Sequence, residues 1–284
     1  MKLTEIDFLV VGAAKSATTW LRHQLQADPQ IYMPDPESHY FSREYHRGTG
    51  WYLSQFAPHA GATLIGEKSN SYMDTPVAAP RMHDALPHVR LIAILRDPVE
   101  RAYSDYCMFY RRGAVSADIE AYLDPRRAAG DRFLQISRYD LHLARLLDHF
   151  PADALHVARY EDVEHDPGRV LNEVRAHLGL APAPLAPTAE RRINDSGSRL
   201  LPLGVRRALA PLKPIAAPLR GTRSFETVRG LMAKEVAYPI LTAELRTRME
   251  EYFQPMEKNI DELAPGIIRS RFSPPPKDMA TGEG

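Results

Sequence analysis

Short unbroken runs of apolar residues alternate along the chain with stretches in which apolar positions recur every three or four residues. Residues 7–11 (DFLVV) and 90–95 (RLIAIL) are the clearest runs, the first ended by Gly12 and the second by Arg96-Asp97-Pro98. A run that is apolar at consecutive positions suits a strand covered on both faces. Residues 63–65 and 155–158 are shorter strand candidates. Helical spacing predicts a helix over 18–27, with Leu21 and Leu25 four apart and a stop before Pro29. It predicts another from Pro98 to about Arg112, capped by Asp97 and with proline at the first helical position. Residues 137–149, 167–178 and 240–263 complete the set of amphipathic helices.

Strands that alternate with helices imply an α/β fold: a central, mainly parallel sheet flanked by helices and joined by right-handed crossovers. Residues 28–60, rich in proline, aromatic and polar residues, read as loop with short helices. Residues 181–225 are rich in proline, alanine and arginine and too long for a plain connection, so a mobile lid or substrate loop is expected there. Residues 1–272 are expected to form one domain, and 273–284 (SPPPKDMATGEG) a disordered tail.

Composition narrows the function classes. With 44% hydrophobic and 25% charged residues, the 284-residue chain has the make-up of a soluble globular protein. Its formal net charge is zero, so no global field draws it to nucleic acid or to a membrane, and any anion site must be local. The opening apolar run follows Glu5 and Asp7 and leads into Lys15, unlike a signal peptide, and no stretch approaches the ~18 apolar residues that span a bilayer. Cys107 is the only cysteine, which rules out an intrachain disulfide and fits a reducing compartment. A cytoplasmic protein is expected. The histidines lack metal-ligand spacing, so no metal is expected either.

Candidate chemistry begins at residues 12–19 (GAAKSATT), between the first strand and its helix. The unpaired N–H groups and the dipole at a helix start favour an anion, Lys15 adds a cation, and Ser16, Thr18 and Thr19 add hydroxyls. The segment is P-loop-like but departs from G-x-x-x-x-G-K-[ST], since the lysine falls three residues after Gly12 and Ala17 stands where a second glycine might be expected. A plain strand–helix turn with an exposed lysine is the alternative. Arg96 falls at the carboxyl end of another strand, where open α/β sheets bind ligands, and Ser104 lies two turns into the next helix. A guanidinium fork and a hydroxyl suit a phosphate, although a surface Arg–Asp pair fits the same residues.

Taken together, residues 12–21 (GAAKSATTWL) and 95–104 (LRDPVERAYS) resemble the two donor-binding segments of sulfotransferases that use 3'-phosphoadenylyl sulfate (PAPS). Residues 36–41 (PESHYF), 66–72 (GEKSNSY) and 138–180 are similar to segments of the heparan-sulfate sulfotransferase branch and its bacterial relatives. The resemblance covers roughly residues 5–265. It implies that PAPS is the co-substrate, that adenosine 3',5'-bisphosphate (PAP) is the product, and that no metal takes part. It implies that Lys15, Ser16, Ala17, Thr18, Thr19 and Trp20 hold the 5'-phosphosulfate, with Lys15 at the leaving oxygen, and that Arg96 and Ser104 hold the 3'-phosphate. Asn194, Ser196 and Arg199, in a loop similar to one that closes over the donor, are further candidates. Glu37 matches the branch's catalytic glutamate, with His39 as the competing base. Lys68 is expected to face the sulfuryl group or the acceptor, or else to make a surface pair with Glu67. Pro36 stands where the family carries a lysine, which removes a cation from the site. The acceptor expected is a hydroxyl, or less readily an amine, of a carbohydrate, a small molecule or a carrier-bound intermediate. A nucleotide kinase of related topology and a non-catalytic nucleotide-binding protein are the competing readings.

Overall fold

The computed structural model describes residues 1–187 and 236–267. Five parallel strands form one sheet: β1 (Phe8–Gly12), β2 (Ile31–Tyr32), β3 (Leu64–Lys68), β4 (Arg90–Leu95) and β5 (Leu155–Arg159), in the order β2-β3-β1-β4-β5. Asp7 ties the central strand to both neighbours. Its N–H donates to the Ile65 carbonyl, its Oδ2 accepts from the Ile65 N–H at 2.7 Å, and its carbonyl accepts from the Arg90 N–H. Phe8 lies opposite Gly66, and a Cβ at Gly66 would fall 2.3 Å from the Phe8 ring, so only glycine allows that pairing.

Both faces of the sheet are covered, as the continuous apolar runs require. Phe8, Val10, Ile92 and Ile94 face α1 (Thr18–Gln26) and α10 (Pro167–His177), whose Leu21, Leu25, Val170, Leu171 and Val174 are buried against them. The alternate residues Leu9, Val11, Leu91, Ala93 and Leu95 face the other way. They meet α2 (Gly48–Ser54) through Tyr52, α3 (Ala78–Ala85) through Met82, and α8 (Tyr139–Leu147) through Leu143 and Leu146. A third cluster joins α4 (Pro98–Arg112) to the short helices α5 (Glu120–Leu123), α6 (Pro125–Ala128) and α7 (Arg132–Gln135) and to the start of α11 (Ala243–Leu263). The remaining helix, α9 (Tyr160–His165), follows β5 directly.

The strand expected over 63–65 runs on to Lys68, because two charged residues at its end are buried rather than solvated. The two-residue β2 and helix α3 were not among the expected elements. Most of the expected lid at 181–225 and all of the expected tail at 273–284 lie outside the described residues.

Candidate active site

In the order β2-β3-β1-β4-β5, the connection leaving β1 leads to the β2 edge and the one leaving β4 leads to β5. Adjacent strands whose connections part in opposite directions open a crevice at their carboxyl ends. The segment after β1 and the residue after β4 meet there, with Arg96 Nη1 3.5 Å from the Lys15 carbonyl. Lys15 (φ 72°) and Ala17 (φ 57°) are both left-handed, which curls residues 13–17 into a cradle ahead of α1. The cradle passes close to the segment after β3, where a Cβ at Gly12 would lie 2.8 Å from Met73 Cβ.

The helix cap leaves donors in the cradle. Ala17 is the N-cap of α1 and has no side-chain oxygen to offer, and the first intrahelical bond runs from the Leu21 N–H to the Ala17 carbonyl. The N–H groups of Thr18, Thr19 and Trp20 therefore precede the helical ladder. Ser16 is buried, and among the described residues its Oγ has no hydrogen-bond partner. Buried hydroxyls are rarely left so unless a ligand or water meets them. Burial pushes the Lys15 ammonium below the usual lysine range; Asp105 opposes that shift, and Arg96, Arg112 and Arg101 reinforce it. Such a convergence of cations fits an anionic ligand. Among the described residues, the Lys15 ammonium lies 4.0 Å from Met108 Sδ.

Arg96 lies over the Tyr160 ring, 4.5 Å from its centroid, and is held loosely by Glu100 at 3.8 Å. Asp97 accepts from the N–H groups of Val99 and Glu100 and so caps α4, while its own N–H donates to Glu161. The Arg96–Asp97 surface pair considered from sequence is thus replaced by two separate roles. Ser104 is half-buried on α4. Asn194, Ser196 and Arg199 lie outside the described residues.

Lys68 connects the cradle to the candidate bases. It is 2% exposed; its ammonium donates to Glu37 Oε1 at 2.6 Å and to Thr19 Oγ1 at 3.1 Å. The surface pair with Glu67 does not form, since adjacent strand residues point to opposite faces. Glu37 Oε2 accepts from the Asn70 N–H at 3.1 Å and lies 3.7 Å from His39 Nε2. His39, at φ 51°, starts a π-helical turn over Tyr40–Glu44, and its Nδ1 is hydrogen-bonded to Ser71 Oγ, which in turn meets Ser42 Oγ. Burial holds the His39 imidazole below its ordinary pKa; the neighbouring Glu37 carboxylate opposes this, and Arg43 and Lys68 add to it. Both candidate bases, Lys68 and the anion cradle therefore share one locus, and Lys68 supplies a cation beside Glu37 although Pro36 does not.

One residue of this locus was misjudged in the sequence. Glu67 is fully buried, and its carboxylate accepts four hydroxyl hydrogen bonds: Ser38 (2.5 Å) and Ser69 (3.1 Å) on Oε2, Tyr52 (3.0 Å) and Tyr72 (2.5 Å) on Oε1. Its place in GEKSNSY was visible, but its partners come from three separate segments, and no spacing rule links them.

A family model described as "Sulfotransferase family" matches residues 37–184, about half of the chain. The chain belongs to that family. Heparan sulfate glucosamine 3-O-sulfotransferase 3B1 of Mus musculus is 30% identical over 177 residues, 61% of this chain and 45% of that protein. Bifunctional heparan sulfate N-deacetylase/N-sulfotransferase 3 of Homo sapiens is 32% identical over 197 residues, 62% of this chain and 22% of that protein. The chain thus spans less than half the length of these relatives. Among solved structures, a sulfotransferase from Alicyclobacillus acidocaldarius shares the fold, with a TM-score of 0.67 at 22% identity over 91% of this chain and 95% of the other. Among the described residues, no helix is long and apolar enough to cross a membrane.

Proposed function

We propose that the chain is a PAPS-dependent sulfotransferase that moves a sulfuryl group to an acceptor hydroxyl, less readily an amine. The reading rests on family membership and on one observation: the continuous chain Glu37–Lys68–Thr19, which joins a carboxylate base to a cradle holding the buried Ser16 hydroxyl, unpartnered among the described residues. Ser16, Thr18, Thr19 and the N–H groups at the start of α1 would hold the phosphosulfate, and Arg96 and Ser104 the 3'-phosphate. Glu37 takes the acceptor proton as the acceptor oxygen bonds to sulfur. The bond from sulfur to the bridging phosphate oxygen breaks, and the negative charge left on the phosphate falls beside Lys15. The products are a sulfate ester and PAP. His39, 3.7 Å from Glu37, is the alternative base in this scheme. No metal is required.

The relatives named for heparan sulfate support a carbohydrate hydroxyl as acceptor, with small-molecule and carrier-bound hydroxyls as alternatives. The proposal extends to action in the cytoplasm, in keeping with a single cysteine. A ligand that binds only the native state raises the melting temperature, so PAP at a hundred times its Kd is expected to add about 2.7 kcal/mol of stability. Labelled sulfate from PAPS is expected to appear on a carbohydrate acceptor. A melting shift with ATP and magnesium but none with PAP would overturn the reading.

A further inference from the structure

We propose that Glu67 is a positioning residue: its carboxylate is a four-way clamp that sets the separation of Glu37, His39 and Lys68. The inference rests on the sulfotransferase reading for its kinetic consequence but not for its geometry. Ser38, which lies between Glu37 and His39, donates to Glu67 Oε2 at 2.5 Å. Ser69, which follows Lys68, donates to the same oxygen at 3.1 Å and accepts the His39 N–H at 2.9 Å. Tyr72, beyond Asn70 and Ser71, donates to Oε1 at 2.5 Å, and Tyr52 of α2 donates to Oε1 at 3.0 Å. Tyr52 also stacks on Tyr40, with centroids 4.5 Å apart and planes 9° from parallel, and so fixes the far end of the 37–41 segment. Beside their direct bonds, the two segments that carry the candidate base and its lysine are thus also joined through one buried carboxylate.

The chemistry of the clamp is directional. An ionised carboxylate only accepts, so all four hydroxyls must donate to it, and their lone pairs remain for other partners. Ser38 Oγ uses one for the Tyr40 N–H at 3.3 Å and Ser69 Oγ uses one for the His39 N–H. Among the described residues no Lys or Arg pairs with Glu67, so the clamp leaves Lys68 to Glu37 and Thr19. Burial raises the Glu67 pKa, and the four hydroxyls oppose that rise. Glutamine at this position keeps the shape but replaces one oxygen by a two-fold donor. The two hydroxyls facing that nitrogen must then turn, which disrupts the segment that places Glu37. A displacement of the order of 1 Å at a reacting group costs on the order of a hundredfold in rate.

The test is Glu67→Gln, with Tyr72→Phe as a milder second variant that removes one donor and keeps the ring. Three quantities are measured for each: the melting shift with PAP, kcat for sulfuryl transfer, and the His39 titration by NMR. His39 faces Glu37, Arg43, Glu44 and Lys68, which are unchanged in both variants. The expected result is an unchanged PAP shift, kcat lower by about a hundredfold for Glu67→Gln, and a His39 pKa raised toward its ordinary value as the segment admits water. The loss of kcat should vanish in a Glu37→Gln background, because residues acting as a unit are not additive. An equal loss in both backgrounds, or a His39 titration and kcat both like wild type, overturns the clamp. A wild-type chain that binds PAP but transfers nothing sinks the sulfotransferase reading, while the His39 titration still judges the clamp. If Glu67→Gln does not fold, Tyr72→Phe decides by the same measures.

Discussion

At the scale of single residues, the site turns on which group carries the acceptor's proton. Glu37 is held by a lysine ammonium and a backbone N–H, and His39 by a serine pair, so each is oriented well enough to serve. Burial keeps His39 neutral near pH 7 and thus able to accept a proton, which makes it a real competitor. Glu37 has the stronger geometry, because Lys68 links it to Thr19 of the anion cradle. Glu37→Gln is therefore expected to lower kcat by 10²-fold or more, the scale of a lost general base, with the PAP melting shift intact. His39→Ala is expected to lower kcat by less than that. The reverse order in a side-by-side transfer assay would move the base to His39. The residue types at 15, 37, 39, 68 and 96 were legible in the sequence because each lies in a short segment with its own chemistry. Glu67 was legible only as a neighbour of Lys68, since its four hydroxyl partners come from the 38, 52 and 69–72 segments and converge only in the fold.

At the scale of elements, the strands and helices with an unbroken apolar run or a clear stop were legible nearly to the residue. Helix α4 begins at Pro98 and ends at Arg112, as the Asp97 cap, the proline and Gly113 require. Strand β4 occupies 90–95 as its apolar run implies. Strand β3 was foreshortened because Glu67 and Lys68 do not look like strand interior; their burial depends on partners elsewhere in the chain. Strand β2 has two residues, too few to set a period. The contact between β1 and the segment after β3 carries a prediction. Alanine at Gly12 places Cβ 2.8 Å from Met73 Cβ and 3.4 Å from the Asn70 carbonyl, both anchored to backbone. Overpacking of this kind costs about 1–3 kcal/mol. Because the Asn70 N–H holds Glu37, Gly12→Ala should also lower turnover. Adding Met73→Ala relieves only the Sδ contact at 3.2 Å and leaves the Cβ in place, so denaturant unfolding should find the double variant still destabilised. Full recovery by Met73→Ala would show that the sulfur, not the backbone, set the limit.

At the scale of the whole molecule, the alternation of strands and helices gave the parallel sheet, but the order β2-β3-β1-β4-β5 depends on which faces pack, and single runs do not encode that. The same holds for His142, an amphipathic-helix residue in sequence and a buried junction in the fold. It is 5% exposed; its Nε2–H donates to the Gln135 carbonyl at the end of α7, and Nδ1 accepts from Arg145 at 3.2 Å. Burial, then the Arg145 guanidinium, hold its pKa down to about 4. With both ring nitrogens engaged in the neutral form, protonation would set an imidazolium against that guanidinium. The sign follows from linkage: above pH 6.5 neither state carries the proton, and the full stability is present. Between pH 6.5 and 4 the unfolded chain takes up a proton that the folded chain refuses, so stability falls as the pH falls. The difference of about 2.5 units corresponds to about 3 kcal/mol at pH 4. Burial lowers His39 and His177 in the same direction, which steepens the acid limb. Glutamine at 142 can donate to the Gln135 carbonyl and accept from Arg145 without titrating. Unfolding free energies measured from pH 7.5 to 4 should therefore fall less for His142→Gln than for wild type, by about 3 kcal/mol at the acid end. Parallel curves for the two proteins would show that His142 takes up its proton without opening the junction between α7 and α8.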